Sequence, residues 1–112
     1  MEKLISWADF EKIDIRVGTI VDAAPFPRAK KPAYQLTIDF GPLGIRKSSA
    51  QITQHYALEN LKGEQVIAVV NFPPKNIAGF QSECLVLGIY DEKNAVVLLA
   101  PKKPVLNGLK IG

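Results

Sequence analysis

Apolar and polar residues alternate along residues 33–40 of this chain. The apolar positions, which share one face, are Tyr34, Leu36, Ile38 and Phe40. A period of two residues is typical of a β-strand with one buried face. Strand-like runs also cover residues 13–23, 45–50, 65–70, 83–90 and 95–100. Proline- and glycine-containing segments separate these runs, so the pattern predicts a protein built mainly from short strands joined by turns.

The length of the chain favours a single domain over residues 1–112. Of the 112 residues, 47% are hydrophobic, which is enough for a buried core at a size near roughly 100–150 residues. No apolar run approaches the roughly 20 residues that cross a bilayer. The N-terminal segment reaches an acid, Asp9, before a signal-type stretch develops. These features predict a cytoplasmic protein.

Two short helices are expected. Residues 7–12 predict one at the N-terminus, with Ser6 or Asp9 as its cap. Because it is too short to be stable alone, it must pack on its own barrel or on a second subunit. Residues 53–61 predict another helix of about two turns. Gly18, in the middle of the first strand, indicates a bulge or bend.

The predicted order is three strands, a helix and two strands, which is the order of an OB-fold. We therefore expect an all-β protein with a short helix: a five-stranded Greek-key OB barrel with an N-terminal arm and a C-terminal extension. In that fold, the loop between strands one and two and the loop between strands four and five border one binding face. Here these loops are residues 25–32 and 71–83.

The first of these loops carries three prolines and three cations, which predicts a stiff basic loop. From residue 26 to residue 47 the only acid is Asp39, against five basic residues: Arg28, Lys30, Lys31, Arg46 and Lys47. A basic side attracts phosphates or acidic protein surfaces. The alternative is that these cations form only a solvated face, which is the commoner case.

The second loop is polar and aromatic, and two prolines and Gly79 exclude a regular strand through it. We expect a pre-bent loop that exposes Phe72, Lys75, Asn76 and Phe80. The alternative is that the two aromatic residues close the open end of the core.

Catalysis is not expected. With one cysteine, Cys84, and one histidine, His55, the chain can form no internal disulfide and offers no metal site. Cys84 is expected to be a small core residue. No acid in the sequence is arranged to orient His55, which we interpret as a surface histidine. We predict no catalytic, cofactor-binding or metal-binding residues.

Several segments resemble the dimeric tRNA-binding OB domain, which occurs alone and appended to aminoacyl-tRNA synthetases. The similar segments are residues 15–21, 48–54, 61–63, 69–72 and 79–83. Within that family, residues 47–53, 71–75 and 101–111 look like the CsaA-type chaperones associated with protein export. The resemblance covers essentially the whole chain.

The resemblance implies a homodimer held by the N-terminal arm and the C-terminal tail. It also implies two classes of ligand. In the wider family the loop after strand four and the start of strand five contact tRNA, which carries over to Asn71, Lys75, Ser82 and Glu83. In the chaperone branch, exposed apolar residues take unfolded or export-bound polypeptide, and here these would be Phe72, Ile77 and Phe80.

Two hypotheses follow from the sequence. The first is a non-catalytic homodimeric chaperone that binds polypeptide, with the export machinery as a possible partner. The alternative is a tRNA-binding module that uses the five cations above together with Lys75. Departures from the tRNA-binding pattern favour the chaperone: residues 26–34 replace a short His-Pro type turn, Cys84-Leu85 replaces Gly-Met, and Glu83 is an acid in a groove for phosphate.

Overall fold

The computed structural model describes residues 3–112 as one short helix and nine strands. The helix α1 covers Trp7–Glu11, and Ser6 caps it by accepting a hydrogen bond from the main-chain nitrogen of Asp9. The strands are β1 (Ile15–Pro25), β2 (Tyr34–Asp39), β3 (Ile45–Ala50), β4 (Gln65–Val69), β5 (Lys75–Ile77), β6 (Phe80–Ser82), β7 (Leu85–Val86), β8 (Gly88–Tyr90) and β9 (Val96–Leu98).

Five antiparallel strands form the main sheet, in the order β3-β2-β1-β4-β7. Its two edges meet, because the main-chain nitrogen of Glu83, just before β7, donates to the carbonyl of Lys47 in β3 at 2.7 Å. The sheet therefore forms a nearly closed barrel, as expected for an OB-fold. Two hairpins, β5–β6 and β8–β9, extend from it.

The barrel encloses the apolar face that the alternation in β2 predicts. Its most buried large side chains are Phe40, Ile20, Leu36, Ile38, Leu61 and Val66. Gly18 lies against this core: a Cβ atom there would be 2.6 Å from Cγ2 of Ile38 and 2.8 Å from the ring of Phe40. β1 does have a bulge, but the register with β2 shifts between Ile20 and Asp22 and not at Gly18. Gly18 instead permits close packing across the barrel.

The predicted helix at residues 53–61 is also wrong. Only a single 3-10 turn forms there, at Leu58–Asn60, and Ala57 before it is extended (φ −95°, ψ 151°). Tyr56 explains the difference, because its carbonyl accepts from the hydroxyl of Tyr34 and its own hydroxyl accepts from the nitrogen of Leu98. These contacts hold the backbone of the segment in a non-helical conformation.

The last predicted barrel strand, residues 83–90, is interrupted at Leu87. The nitrogen of Leu87 donates to Ile67 in β4, whereas its carbonyl accepts from Leu99. The run therefore divides into β7, which completes the barrel, and β8, which pairs with β9.

The C-terminal segment packs along the first half of β1. Main-chain hydrogen bonds join Val17 to Gly108 and Leu109, and Ile111 to Ile15. The side chain of Gln65 also bonds both the nitrogen and the carbonyl of Val105. The extension thus continues the barrel wall. Within residues 3–112, no helix has the length and apolar character that crossing a membrane requires.

Candidate binding groove

The second predicted loop contains a regular hairpin that the sequence pattern does not predict. β5 and β6 pair with Lys75 opposite Ser82 and Ile77 opposite Phe80. Ala78 and Gly79 connect them, both with positive φ (50° and 86°), as the tight turns of two-residue hairpins require. The side chain of Asn76 accepts from the nitrogen of Gly79 at 2.9 Å. The expected irregular loop is therefore a small ordered projection.

Two sets of hydrogen bonds hold the ends of this hairpin. At its start, the side-chain amide of Asn71 donates to the carbonyl of Lys12 (2.7 Å) and accepts from the nitrogen of Asp14 (3.0 Å). At its end, the hydroxyl of Ser82 accepts from the nitrogen of Ser49, and the carboxylate of Glu83 accepts from the nitrogen of Lys47. The hairpin is anchored to β3 and to the segment that follows α1.

The hairpin meets the first predicted loop and forms a groove with it. The rings of Phe26 and Phe80 lie 5.3 Å apart between centroids, at an angle of 58°. Tilted pairs at this separation stabilise beyond the area that they bury. The groove has a volume of about 230 Å³ and is lined by Phe26, Pro27, Arg28, Gln35, Ala78, Gly79 and Phe80. As predicted, the two loops border one surface.

The groove includes only part of the predicted binding residues. Arg28 and Phe80 line it. Lys30, Lys31 and Lys75 are exposed on the two loops. Phe72 is 55% exposed and does not line the groove. Phe72 therefore does not close the open end of the core, which was the alternative expectation for the two aromatic residues.

The neighbours Arg46 and Lys47 point to opposite sides of β3, as successive residues of a strand do. Lys47 is exposed, whereas Arg46 is half-buried and donates to the carbonyl of Val70. Asn71, Ser82 and Glu83 already use side-chain atoms to anchor the hairpin. A role of these residues in binding nucleic acid stays a prediction.

Five of the lining residues were not predicted as site residues: Phe26, Pro27, Gln35, Ala78 and Gly79. Phe26 lies between two prolines in the basic loop, yet its side chain is 5% exposed. Gln35 is on the outward, polar face of β2. Among residues 3–112 its side-chain amide has no hydrogen-bond partner. Its outward position in a strand beside the loop was the available signal.

The cations of the two loops are not neutralised within the described part of the chain. There, ion pairs join Lys12 to Asp9 and Arg16 to Asp14, and a hydrogen bond joins His55 to Asp91. Over the same residues, no carboxylate lies within 4 Å of the basic atoms of Arg28, Lys30, Lys31, Lys47 or Lys75. The rim of the groove therefore offers positive charge to an incoming anion.

The expectation that no acid orients His55 is wrong. Its Nε2 lies 2.7 Å from Oδ2 of Asp91, in the turn between β8 and β9. That hydrogen bond, together with those from the nitrogens of Ala95 and Lys93, lowers the pKa of Asp91. Because Asp91 is bound by the main chain of its own turn, the pair links two surface segments.

Cys84 is buried, as expected, and burial raises the pKa of its thiol to about 11. It is therefore an unreactive core residue at neutral pH. Across residues 3–112, the His, Cys, Asp and Glu side chains form no group of three or more that could hold a metal ion.

A comparison with protein families matches residues 15–110 to the family described as "Putative tRNA binding domain". Curated relatives include the methionine–tRNA ligase of Porphyromonas gingivalis, 36% identical over 107 residues. That match covers 96% of this chain and 15% of the ligase. The corresponding ligase of Methanococcoides burtonii is 36% identical over 100 residues, or 89% of this chain and 14% of the ligase. The chain thus spans about one seventh of these enzymes.

Several solved structures match this protein over nearly the full length of both chains. The CsaA chaperone of Bacillus anthracis superimposes with a TM-score of 0.93 at 51% identity, covering 98% of this chain and 100% of that one. The CsaA chaperone protein of Picrophilus torridus gives 0.91 at 50% identity, with 97% and 100% covered. A MetRS-related protein of Pyrococcus horikoshii gives 0.87 at 28% identity over 98% and 99%.

Proposed function

The chain belongs to this tRNA-binding domain family, and we propose that within it the protein is a non-catalytic homodimeric chaperone that binds unfolded or export-bound polypeptide. The observation that carries the proposal is the groove between the two loops. Its walls are mostly apolar, and both loops are held in place by prolines, by the hairpin turn and by the contact of Phe26 with Phe80. The full-length likeness to CsaA chaperones supports the same function.

Such a groove suits segments of unfolded chains. Folded proteins bury most of their large apolar side chains, so an unfolded client exposes many more Leu, Phe and Ile side chains than a folded protein does. Burying such a side chain against the apolar lining of the groove contributes about 25 cal/mol per Å² of apolar surface removed from water. No particular client sequence is required, because the hydrophobic effect is non-directional.

The homodimer is supported by apolar surface at the two ends of the chain. Leu4, Ile5 and Trp7 are 90%, 73% and 69% exposed, and Leu106 is 77% exposed. A cleft lined by Ile5, Ser6, Trp7, Phe10 and Gly112 brings the N-terminal helix and the last residue together. Clustered exposed apolar side chains mark interaction sites in soluble proteins. A second copy of the chain is the proposed partner.

Aggregation of a denatured model protein tests the groove. The Phe80→Ser variant should suppress aggregation less well than the original protein, because it removes one wall of the groove. Tyr90→Ser is the matched control, since Tyr90 is an exposed aromatic residue (74%) on β8 outside the groove. Light scattering measures both. Equal suppression by Phe80→Ser and the original protein would exclude the groove as the client site.

Binding of tRNA is the second candidate function, favoured by the unneutralised cations at the rim of the groove. In that case affinity should fall steeply with salt, because each lysine that meets a phosphate releases counterions. Charge reversal of both Lys30 and Lys31 to Glu should reduce the salt slope by about one for each phosphate that is no longer neutralised. The matched control reverses Lys102 and Lys103, another exposed lysine pair. A slope that the Lys30 and Lys31 reversals leave unchanged from that of the original protein would remove the basic loop from the tRNA site.

A further inference from the structure

Asn71 joins the binding hairpin to the N-terminal arm, which we define as residues 3–14. Its side-chain amide bonds the carbonyl of Lys12 and the nitrogen of Asp14, and the adjacent nitrogen of Val70 donates to the carbonyl of Asp14 at 2.9 Å. Three hydrogen bonds thus connect the end of β4 to the end of the arm. An amide is well suited here, because it offers a donor and an acceptor together.

The chain between Asn71 and the hairpin is stiff. Only Phe72, Pro73 and Pro74 separate Asn71 from β5. Each proline restricts φ to about −65° and leaves few torsions that could absorb a displacement. A shift at Asn71 therefore moves the start of β5, whereas the end of β6 stays bonded to β3 through Ser82 and Glu83.

Apart from these hydrogen bonds at its end, the arm buries little of its own surface. None of the residues of α1 is buried. Its side chains Ile5 and Trp7 line the apolar cleft that also includes Gly112. The position of the arm therefore depends on whatever covers that cleft, and in the proposed homodimer this is the second copy.

We propose that Asn71 is a positioning residue through which the arm, when covered by a second copy of the chain, sets the hairpin wall of the client groove. This inference rests on the proposed function for both the second copy and the client. Coupling of two binding events is reciprocal. Client binding should therefore strengthen dimerisation as much as dimerisation strengthens client binding. In this role Asn71 need not touch the client.

Hydrogen exchange of the hairpin amides tests the link without any ligand. Asn71→Ala should accelerate exchange in β5 and β6 several-fold and leave the amides shared by β1 and β2 unchanged. Asn71→Asp should lie between, because a carboxylate still accepts from Asp14 but cannot donate to Lys12. Gln81→Ala, an exposed change on the hairpin itself, is the matched control. A uniform acceleration in all strands, or none in the hairpin, would overturn the inference.

A substitution in the arm, Trp7→Ala, provides a second test of the link between the arm and the hairpin. Trp7→Ala should accelerate the same hairpin amides, and the double variant with Asn71→Ala should exchange no faster than Asn71→Ala alone, because the link is already cut. Neighbours that act through one connection are non-additive in this way. Two fully additive effects would show that arm and hairpin are independent.

Dimerisation measured by sedimentation, with and without a denatured model client, tests the consequence for function. In the original protein the client should lower the dimer dissociation constant by about fivefold or more. In Asn71→Ala this shift should vanish. A client that binds without any shift in the original protein would overturn the coupling. If no client binds, the proposed function fails, while the exchange result still decides whether Asn71 positions the hairpin.

Discussion

Two aromatic pairs on the surface have nearly the same ring geometry and opposite surroundings. Trp7 and Phe10 lie 5.4 Å apart at 43°, and Phe26 and Phe80 lie 5.3 Å apart at 58°. The first pair belongs to one helical turn. The second joins two loops that are distant in the chain. Trp7 is 69% exposed, whereas Phe26 is 5% exposed.

The difference lies in what each pair holds together. Trp7 and Phe10 would be close in any helix, since residues three apart are neighbours on a helix surface. Their contact therefore organises nothing beyond α1. The contact of Phe26 with Phe80 places the basic loop against the hairpin and creates the groove. The long-range pair of Phe26 and Phe80 holds the groove in shape before a ligand binds. The local pair of Trp7 and Phe10 instead presents apolar surface that needs a partner.

The largest effect is expected for Phe26→Ala. Removing a buried aromatic side chain costs about 3 kcal/mol, the lower end of the usual range, because Phe26 packs in a loop and not in the central core. The free energy of unfolding in urea measures this loss. Phe72→Ala, at an exposed position in the other loop, should change it by less than about 0.5 kcal/mol. Equal losses in the two variants would contradict the distinction between them.

A smaller effect on the folded chain, but a large one on association, is expected for Trp7→Ala. An aromatic residue in the centre of an interface typically contributes about 2 kcal/mol to binding. The dimer dissociation constant should therefore rise about 30-fold, as measured by sedimentation over a concentration series. Tyr90→Ala provides the comparison, as another exposed aromatic side chain. Unchanged self-association of Trp7→Ala would show that the exposed side chain of Trp7 does not contribute to dimerisation.

The smallest effect concerns a polar long-range pair, His55 with Asp91. Because the folded state lowers the pKa of Asp91 below the ordinary value of 3.8, this carboxylate stabilises the fold above that value. The contribution is lost as the pH falls through the lowered pKa. The free energy of unfolding of the original protein should therefore fall more steeply below about pH 4 than that of Asp91→Asn. Parallel pH profiles would show that the Asp91 carboxylate, with its hydrogen bonds to His55, Ala95 and Lys93, contributes nothing measurable.

The elements that the sequence predicted correctly depend on short-range chemistry. β2 follows from its alternation, and α1 follows from Ser6 and Asp9, which cap it reciprocally. The predictions that were wrong concern segments whose structure depends on residues distant in the chain. Residues 53–61 have apolar residues at helical spacing, but Tyr56 bonds to β2 and to β9 instead. The hairpin turn is Ala78-Gly79, which lacks the usual Asn-Gly signal.

The same limit applies to the groove. Arg28 and Phe80 were predicted because cations and aromatic residues in paired loops indicate binding. Phe26 was missed because only the folded chain shows that it contacts Phe80. Asn71 and Glu83 were assigned to nucleic acid from the resemblance to the tRNA-binding family, and a sequence does not show that their side chains bond the main chain of other segments. The chemical type of a side chain can be read from the sequence. Which distant segment already bonds that side chain is known only from the folded structure.

The pairing of the C-terminal segment with β1 has a consequence for how the protein is made. The first half of β1 pairs with β4 on one side, yet on its other side Ile15 and Val17 receive main-chain partners only when residues 108–111 have been synthesised. Contacts between such distant residues close late and slow folding. Until then this side of β1 carries unpaired main-chain groups, so a protein that we propose as a chaperone is, during its own synthesis, an incompletely folded chain of the kind it would bind.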